Sequence, residues 1–89
     1  MVAATAQTKL EFTIGDATKN ITISGAACSL YDTKRNTPLV NTFSSKSGRC
    51  YLATNEPGFY KLRVSHPNYF EFEQPLNGAP PIQIELVPR

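Results

Sequence analysis

The sequence predicts an all-β fold, an antiparallel, seven-stranded Greek-key β-sandwich. Apolar and polar residues alternate in many short segments, which is the period of a strand with one buried face. The seven prolines and five glycines fall mainly between these segments, where turns are needed. No long segment shows the 3.6-residue period of an amphipathic helix. Many short strands joined by turns are typical of sandwiches and barrels.

Each predicted strand alternates between a buried and an outward face. The clearest example places Tyr60, Leu62 and Val64 on the inner face and Lys61 and Arg63 on the outer face. The segment 39–43 is the weakest candidate. The candidate strand ranges in chain order are 10–14, 21–23, 28–31, 39–43, 49–53, 59–64, 69–73 and 82–86, and we expect about seven of these eight to form strands.

Length and charge restrict the function classes. With 89 residues the chain is expected to form one domain, and its net charge is only +2. The only adjacent basic pair is Lys34 and Arg35, which is too short to predict binding to nucleic acid. No apolar run reaches the roughly 20 residues that a membrane-spanning helix needs, so we expect no membrane insertion.

The predicted domain covers 10–86. We expect 1–9 to be a flexible N-terminal segment. The last four residues, 86–89, read Leu-Val-Pro-Arg, which is the sequence that thrombin leaves after cutting a C-terminal tag. We therefore interpret 86–89 as a tag remnant and expect no functional information from it.

The two cysteines, Cys28 and Cys50, both have inward parity, beside Leu30 and Leu52 respectively. In an oxidising compartment they can form a core disulfide that closes a loop of roughly 20 residues and stabilises the fold by about 3 kcal/mol. In a reducing compartment they would be two buried thiols that act as small apolar fillers. We favour the disulfide and, with it, an extracellular, cell-surface or periplasmic location.

Three motifs carry a resemblance to a known family. The segment 25–30 (Gly-Ala-Ala-Cys-Ser-Leu) resembles the Gly-Ala-x-Val-x-Leu strand of carboxypeptidase regulatory-like domains. The segment 44–52 resembles their Thr-Asp-x-x-Gly-x-Tyr-x-Leu turn and strand, although Ser45 and Lys46 stand where the family has its Asp. The segment 56–64 (Glu-Pro-Gly-Phe-Tyr-Lys-Leu-Arg-Val) resembles Pro-Pro-Gly-x-Tyr-x-Leu-x-Val.

The resemblance implies the transthyretin-like, or prealbumin-like, seven-stranded sandwich. Members of this fold act as accessory domains of enzymes, surface proteins and secretion machines, and one branch hydrolyses 5-hydroxyisourate. The chain has one histidine, His66, and lacks the C-terminal Tyr-Arg-Gly-Ser signature of that branch. We therefore expect no enzyme and keep the hydrolase as a remote alternative. The spacing of Cys28, Cys50 and His66 does not predict a metal site, and we expect no cofactor.

Outward aromatic residues are the main candidates for a binding surface. These residues are Tyr31, Tyr51, Phe59 and Phe70. If all four lie on one outer sheet face, they form a surface for a protein partner or a neighbouring domain. A sheet edge is a further candidate, because its unpaired backbone groups can accept a partner strand. The loop 32–38 is another, through Lys34, Arg35 and Asn36.

The leading hypothesis is thus a non-catalytic protein–protein interaction or structural accessory module. The alternative is a carbohydrate-binding accessory module, because small β-sandwiches can bind sugars on an exposed aromatic platform. The chain has no tryptophan, and most of its Tyr and Phe residues have inward parity. The sequence therefore favours a protein partner over a sugar.

Overall fold

The computed structural model describes residues 8–34, 37–54, 60–76 and 82–89. In these ranges the chain forms strands and no helix, as the alternating pattern predicted. The seven strands are β1 (Thr8–Asp16), β2 (Ala27–Asp32), β3 (Thr37–Phe43), β4 (Arg49–Thr54), β5 (Tyr60–His66), β6 (Tyr69–Pro75) and β7 (Gln83–Leu86).

The strands form two sheets, one of three strands in the order β4-β1-β7 and one of four strands in the order β3-β2-β5-β6. All neighbouring strands are antiparallel except β1 and β7, which run parallel. The expectation of a purely antiparallel arrangement is therefore corrected. Since β1 and β7 are the first and last strands, no hairpin between them fixes their relative direction, and alternation carries no information about it.

The predicted strand at 21–23 does not form. Thr22 makes a single bridge to Gly15, and the Ile23 amide donates a hydrogen bond of 2.9 Å to the carbonyl of Ile14. Ile23 is buried, whereas Ile21 is exposed. Two residues after this segment, Gly25 has a φ of 73°, which lies in the left-handed region. The turns on both sides of 21–23 leave too little length for a strand.

The core lies between the two sheets and uses the inward positions that alternation predicted. Removing a large aliphatic side chain from water stabilises the fold by about 1.5–3 kcal/mol, so these residues supply most of the driving force for folding. The buried apolar residues are Leu10, Phe12, Ile14, Ile23, Ala26, Cys28, Leu30, Cys50, Leu52, Tyr60, Leu62, Val64, Ile84 and Leu86.

A disulfide between Cys28 and Cys50 joins the two sheets through this core. Cys28 lies on β2 of the four-stranded sheet and Cys50 on β4 of the three-stranded sheet, and both residues are buried. The favoured disulfide is therefore confirmed. The bond links strands that lie in different sheets and make no backbone ladder with each other.

The chain passes from β3 to β4, and so from one sheet to the other, through a compact turn. The buried hydroxyl of Ser44 donates to the Ile23 carbonyl (2.8 Å) and accepts from the Ala26 amide (2.9 Å). Gly48 follows with a φ of 79°. These contacts fix the start of β4, and hence the position of Cys50, relative to β2.

Candidate functional site

The structure separates the two outward tyrosines that sequence analysis grouped together. Tyr51 lies between the buried residues Cys50 and Leu52 on β4, so its side chain is on the outer face of the three-stranded sheet, where it is 54% exposed. Tyr31 follows buried Leu30 on β2 and is on the outer face of the four-stranded sheet. The two rings are on opposite sides of the molecule, so they do not share one aromatic face.

The ring of Tyr31 is covered by basic side chains. The guanidinium carbon of Arg63 lies 4.4 Å from the ring centroid, and Arg63 Nη1 donates to the Tyr31 hydroxyl at 3.3 Å. The amine of Lys61 is 5.8 Å from the same centroid. These cation–π contacts form because β5 lies beside β2 and pairs Lys61 with Tyr31. The ring does not offer an open platform to a ligand.

Two glutamates of β6 neutralise these cations. Arg63 Nε and Nη2 donate to Glu73 Oε2 at 3.0 and 2.8 Å, and Arg63 Nε lies 3.3 Å from Glu71 Oε1. The amine of Lys61 lies 3.4 Å from Glu73 Oε1. The hydrogen bond between Arg63 and Glu73 raises the pKa of Arg63 and lowers that of Glu73. This part of the outer face therefore carries balanced charge.

The remaining predicted residues are dispersed. Phe70 is 56% exposed at the start of β6, where its amide donates to the Val87 carbonyl at 2.8 Å and the Arg89 guanidinium lies 5.6 Å from its ring centroid. Lys34 is exposed, and its amide donates to Asp32 Oδ1 at 2.8 Å. Arg35, Asn36 and Phe59 lie outside the described residues.

The edge strand β3 has features that sequence analysis missed. Its sequence, Thr-Pro-Leu-Val-Asn-Thr-Phe, contains no charged residue, and its last residue, Phe43, is 69% exposed. Because 39–43 alternates only weakly, the sequence predicts a strand there least clearly and indicates no function for it. The sequence feature that could have identified β3 as an unprotected edge is the absence of charge over its seven consecutive residues.

The backbone groups of β3 alternate between its neighbour β2 and the open side. The Ser44 amide donates to the Ala26 carbonyl at 2.9 Å, and Cys28 pairs with Thr42. Because antiparallel pairing alternates along a strand, Thr42 directs its backbone groups toward β2, whereas Asn41 and Phe43 direct theirs away. Within the described ranges no backbone group pairs with that open side of β3.

A groove of about 570 Å³ lies on the outer face of the four-stranded sheet, near the end of β3. Ala27 on β2 pairs with both Phe43 on β3 and Ser65 on β5, so these three residues form a row across the sheet. The small side chains of Ala27 and Ser65 leave a depression beside the exposed Phe43 ring. His66 and Glu71 also line it. We call this surface the Phe43 groove.

The single histidine, His66, lies at the end of β5 in this groove. Its Nδ1 accepts a hydrogen bond of 3.1 Å from the Asn68 amide, and its ring meets Tyr69 edge to face at 5.2 Å. The amide fixes the ring orientation. In the neutral imidazole the proton is therefore on Nε2, which is a donor.

The buried residue Asp16 is the centre of a polar cluster that sequence analysis did not predict. Its Oδ2 accepts a hydrogen bond of 2.7 Å from the Tyr69 hydroxyl, and its Oδ1 accepts from the Thr18 amide (2.7 Å), the Thr18 hydroxyl (2.8 Å) and the Lys19 amide (3.0 Å). The bond from Tyr69, followed by those from Thr18 and Lys19, lowers the pKa of Asp16 to about 2. The cluster shapes the turn after β1 and attaches it to β6.

Comparisons with known proteins give no assignment. No family model matches the chain, and no curated protein matches it. The ranges that the structure describes contain no group of three or more side chains suited to hold a metal ion, and no helix long and apolar enough to cross a bilayer.

Proposed function

We propose that the protein is a non-catalytic interaction module that binds an extended segment of a partner protein along β3. The observation that carries this proposal is the combination of an uncharged edge strand and backbone groups directed to its open side. An unpaired strand edge is a template for a further strand. In such complexes backbone hydrogen bonds supply affinity, and alternate side chains supply specificity.

The other sheet edges are less suited to this role. Proteins commonly protect edge strands with charged residues or by making them short. Accordingly, β4 carries Arg49, β6 carries Glu71 and Glu73, and β7 is only four residues long and contains Glu85. Only Pro38, near the start of β3, opposes pairing there. The seven-residue β3 is therefore the edge with the weakest protection among the described strands.

The side chains of β3 indicate what the partner segment must present. Val40 and Thr42 have inward parity and are only half-buried, whereas their neighbours on β2, Leu30 and Cys28, are buried. A partner strand beside β3 would cover Val40 and Thr42 with its own inward residues. We therefore propose a partner segment with alternating apolar and polar residues, its apolar side chains facing the core.

The fold family and the location belong to the same proposal. Seven strands in sheets of three and four support a transthyretin-like Greek-key sandwich of the carboxypeptidase regulatory-like type. The buried disulfide between Cys28 and Cys50 supports an oxidising compartment, at the cell surface, outside the cell or in a periplasm. An accessory or adhesive role in a secreted or surface protein agrees with both.

The test compares two substitutions at one position. Asn41→Pro removes an amide that points to the open side, and edge strands tolerate proline where the amide faces solvent. Asn41→Ala keeps that amide and loses only the side chain, whose Oδ1 accepts from Ser29 at 2.6 Å. With each variant as bait in an extract of the source organism, we expect the partner to be captured by the wild type and Asn41→Ala and lost by Asn41→Pro.

A third bait, Tyr51→Ser, tests the aromatic-face hypothesis separately, because Tyr51 is on the outer face of the other sheet. We expect it to capture the partner as the wild type does. Capture of the same partner by Asn41→Pro at wild-type level would overturn binding along β3. Loss of capture by Tyr51→Ser alone would instead place the interface on the three-stranded sheet.

A further inference from the structure

The Phe43 groove has the composition of a small-ligand site. It lies on the outer face of the four-stranded sheet, whereas the proposed partner strand would pair with the backbone edge of β3. The groove volume of about 570 Å³ falls within the usual range for ligand pockets. Such sites combine an apolar surface with a few polar groups that fix the orientation of the ligand. Phe43 and Ala27 supply the apolar surface, and the small side chains of Ala27 and Ser65 leave the open space beside Phe43.

The apolar contact would be made by Phe43. Its ring is 69% exposed although it borders a concave surface. The face of an aromatic ring is electron-rich and attracts weakly positive C–H groups. A pyranose ring has such a C–H face and can lie flat on Phe43, above the small side chains of Ala27 and Ser65.

The polar groups suit hydroxyls, which both donate and accept hydrogen bonds. The Ser65 hydroxyl can donate and accept, His66 Nε2 donates in the neutral imidazole, and the Glu71 carboxylate accepts. His66 is oriented by the Asn68 amide, and Glu71 is held by Arg63 at 3.3 Å. Two of the three side chains, His66 and Glu71, are therefore already constrained in position.

The charges of the groove favour a neutral ligand. Glu71 and Arg89 contribute one charge of each sign to its lining. Both groups are held by neighbours: the Arg89 Nε donates to the Tyr69 carbonyl at 3.0 Å, and Glu71 Oε1 lies 3.3 Å from Arg63 Nε. We propose that the Phe43 groove binds a neutral saccharide, with a pyranose ring stacked on Phe43 and its hydroxyls bonded to Ser65, His66 and Glu71.

The test begins with a glycan array probed with the wild-type protein at high concentration. Glycans that bind are then titrated into ¹⁵N-labelled protein and followed by NMR. We expect shifts of the Ala27, Ser65 and His66 amides. We expect Ser65→Leu, which fills the depression from a half-buried outer position, to weaken binding at least tenfold, and Tyr51→Ala to leave binding unchanged.

Three results would overturn the saccharide site: no glycan above background on the array, shifts confined to another surface, or unchanged affinity in Ser65→Leu. The two proposals fail separately, since Asn41→Pro is expected to lose the protein partner while it keeps glycan binding.

Discussion

The hydroxyl of Tyr69 on β6 donates a hydrogen bond of 2.7 Å to the buried carboxylate of Asp16 on β1. The bond joins the four-stranded sheet to the three-stranded sheet between residues 53 positions apart. It works together with the disulfide, which joins the same two sheets elsewhere in the core. Relative placement of the sheets therefore depends on two specific links as well as on apolar packing.

The first prediction concerns Tyr69→Phe and pH. The hydrogen bonds of the folded protein lower the pKa of Asp16 to about 2, whereas an aspartate in an unfolded chain titrates at about 3.9. Because the folded pKa is the lower one, the stabilisation is fully present above about pH 4 and is lost as the pH falls toward 2. Tyr69→Phe removes the largest contribution to this shift.

We therefore expect Tyr69→Phe to melt several degrees below the wild type at neutral pH, and this difference to shrink below pH 4. Thermal melts between pH 2 and pH 7 measure it. The matched control is Tyr51→Phe, which removes the hydroxyl of an exposed tyrosine and should change nothing. A difference between Tyr69→Phe and wild type that is equal at all pH values would contradict the assigned role of Asp16.

The second prediction concerns the disulfide. In the chain-entropy model, closing the loop between Cys28 and Cys50, which are 22 positions apart, stabilises the folded state by about 3 kcal/mol. For a domain of this size that corresponds to a fall in melting temperature of roughly 15 °C on reduction. Calorimetry with and without reductant measures the fall. Thiols that react in the denatured, unreduced protein would show that the bond is absent.

The third prediction compares two glycines with positive φ. An alanine Cβ at Gly48 would lie 2.8 Å from both the Ile14 carbonyl oxygen and Thr22 Cβ, whereas at Gly25 it would meet no atom within 4 Å. Both substitutions incur the cost of left-handed backbone, about 1–2 kcal/mol. We expect Gly25→Ala to lose about that amount, and Gly48→Ala to lose more because the turn must also shift. Denaturant unfolding measures both losses of stability. Equal losses for Gly25→Ala and Gly48→Ala would contradict the prediction, because they would mean that the turn at Gly48 shifts without cost.

The fourth prediction tests the orientation of β3 without any partner. Asn41→Pro removes an amide that faces the open side, so we expect a folded protein with melting temperature close to that of Asn41→Ala. Thr42→Pro removes an amide that faces β2 and breaks the sheet, so we expect a large loss of stability, about 3 kcal/mol or more. Circular dichroism melts compare the variants. The reverse order of stability would show that the assigned alternation is wrong.

Alternation along the sequence was enough to predict the all-β class and most of the core. It placed Cys28, Leu30, Leu62 and Val64 on inward positions, and all four are buried. This succeeds because successive side chains of a strand point to opposite faces, which is a local property of the backbone. The alternating pattern is wrong for Ile82. It gives this residue the same inward parity as Ile84 and Leu86, but Ile82 is 81% exposed because β7 begins one residue later, at Gln83.

Only the tertiary structure decided how the strands are arranged, and therefore which surfaces exist. The parallel pairing of β1 with β7, the opposite sides taken by Tyr31 and Tyr51, and the groove beside Phe43 all depend on strand order. Strand order is set by contacts between residues far apart in the sequence, and no local periodicity encodes it. Composition and alternation determined what is buried; the packing of two sheets determined which residues meet at the surface.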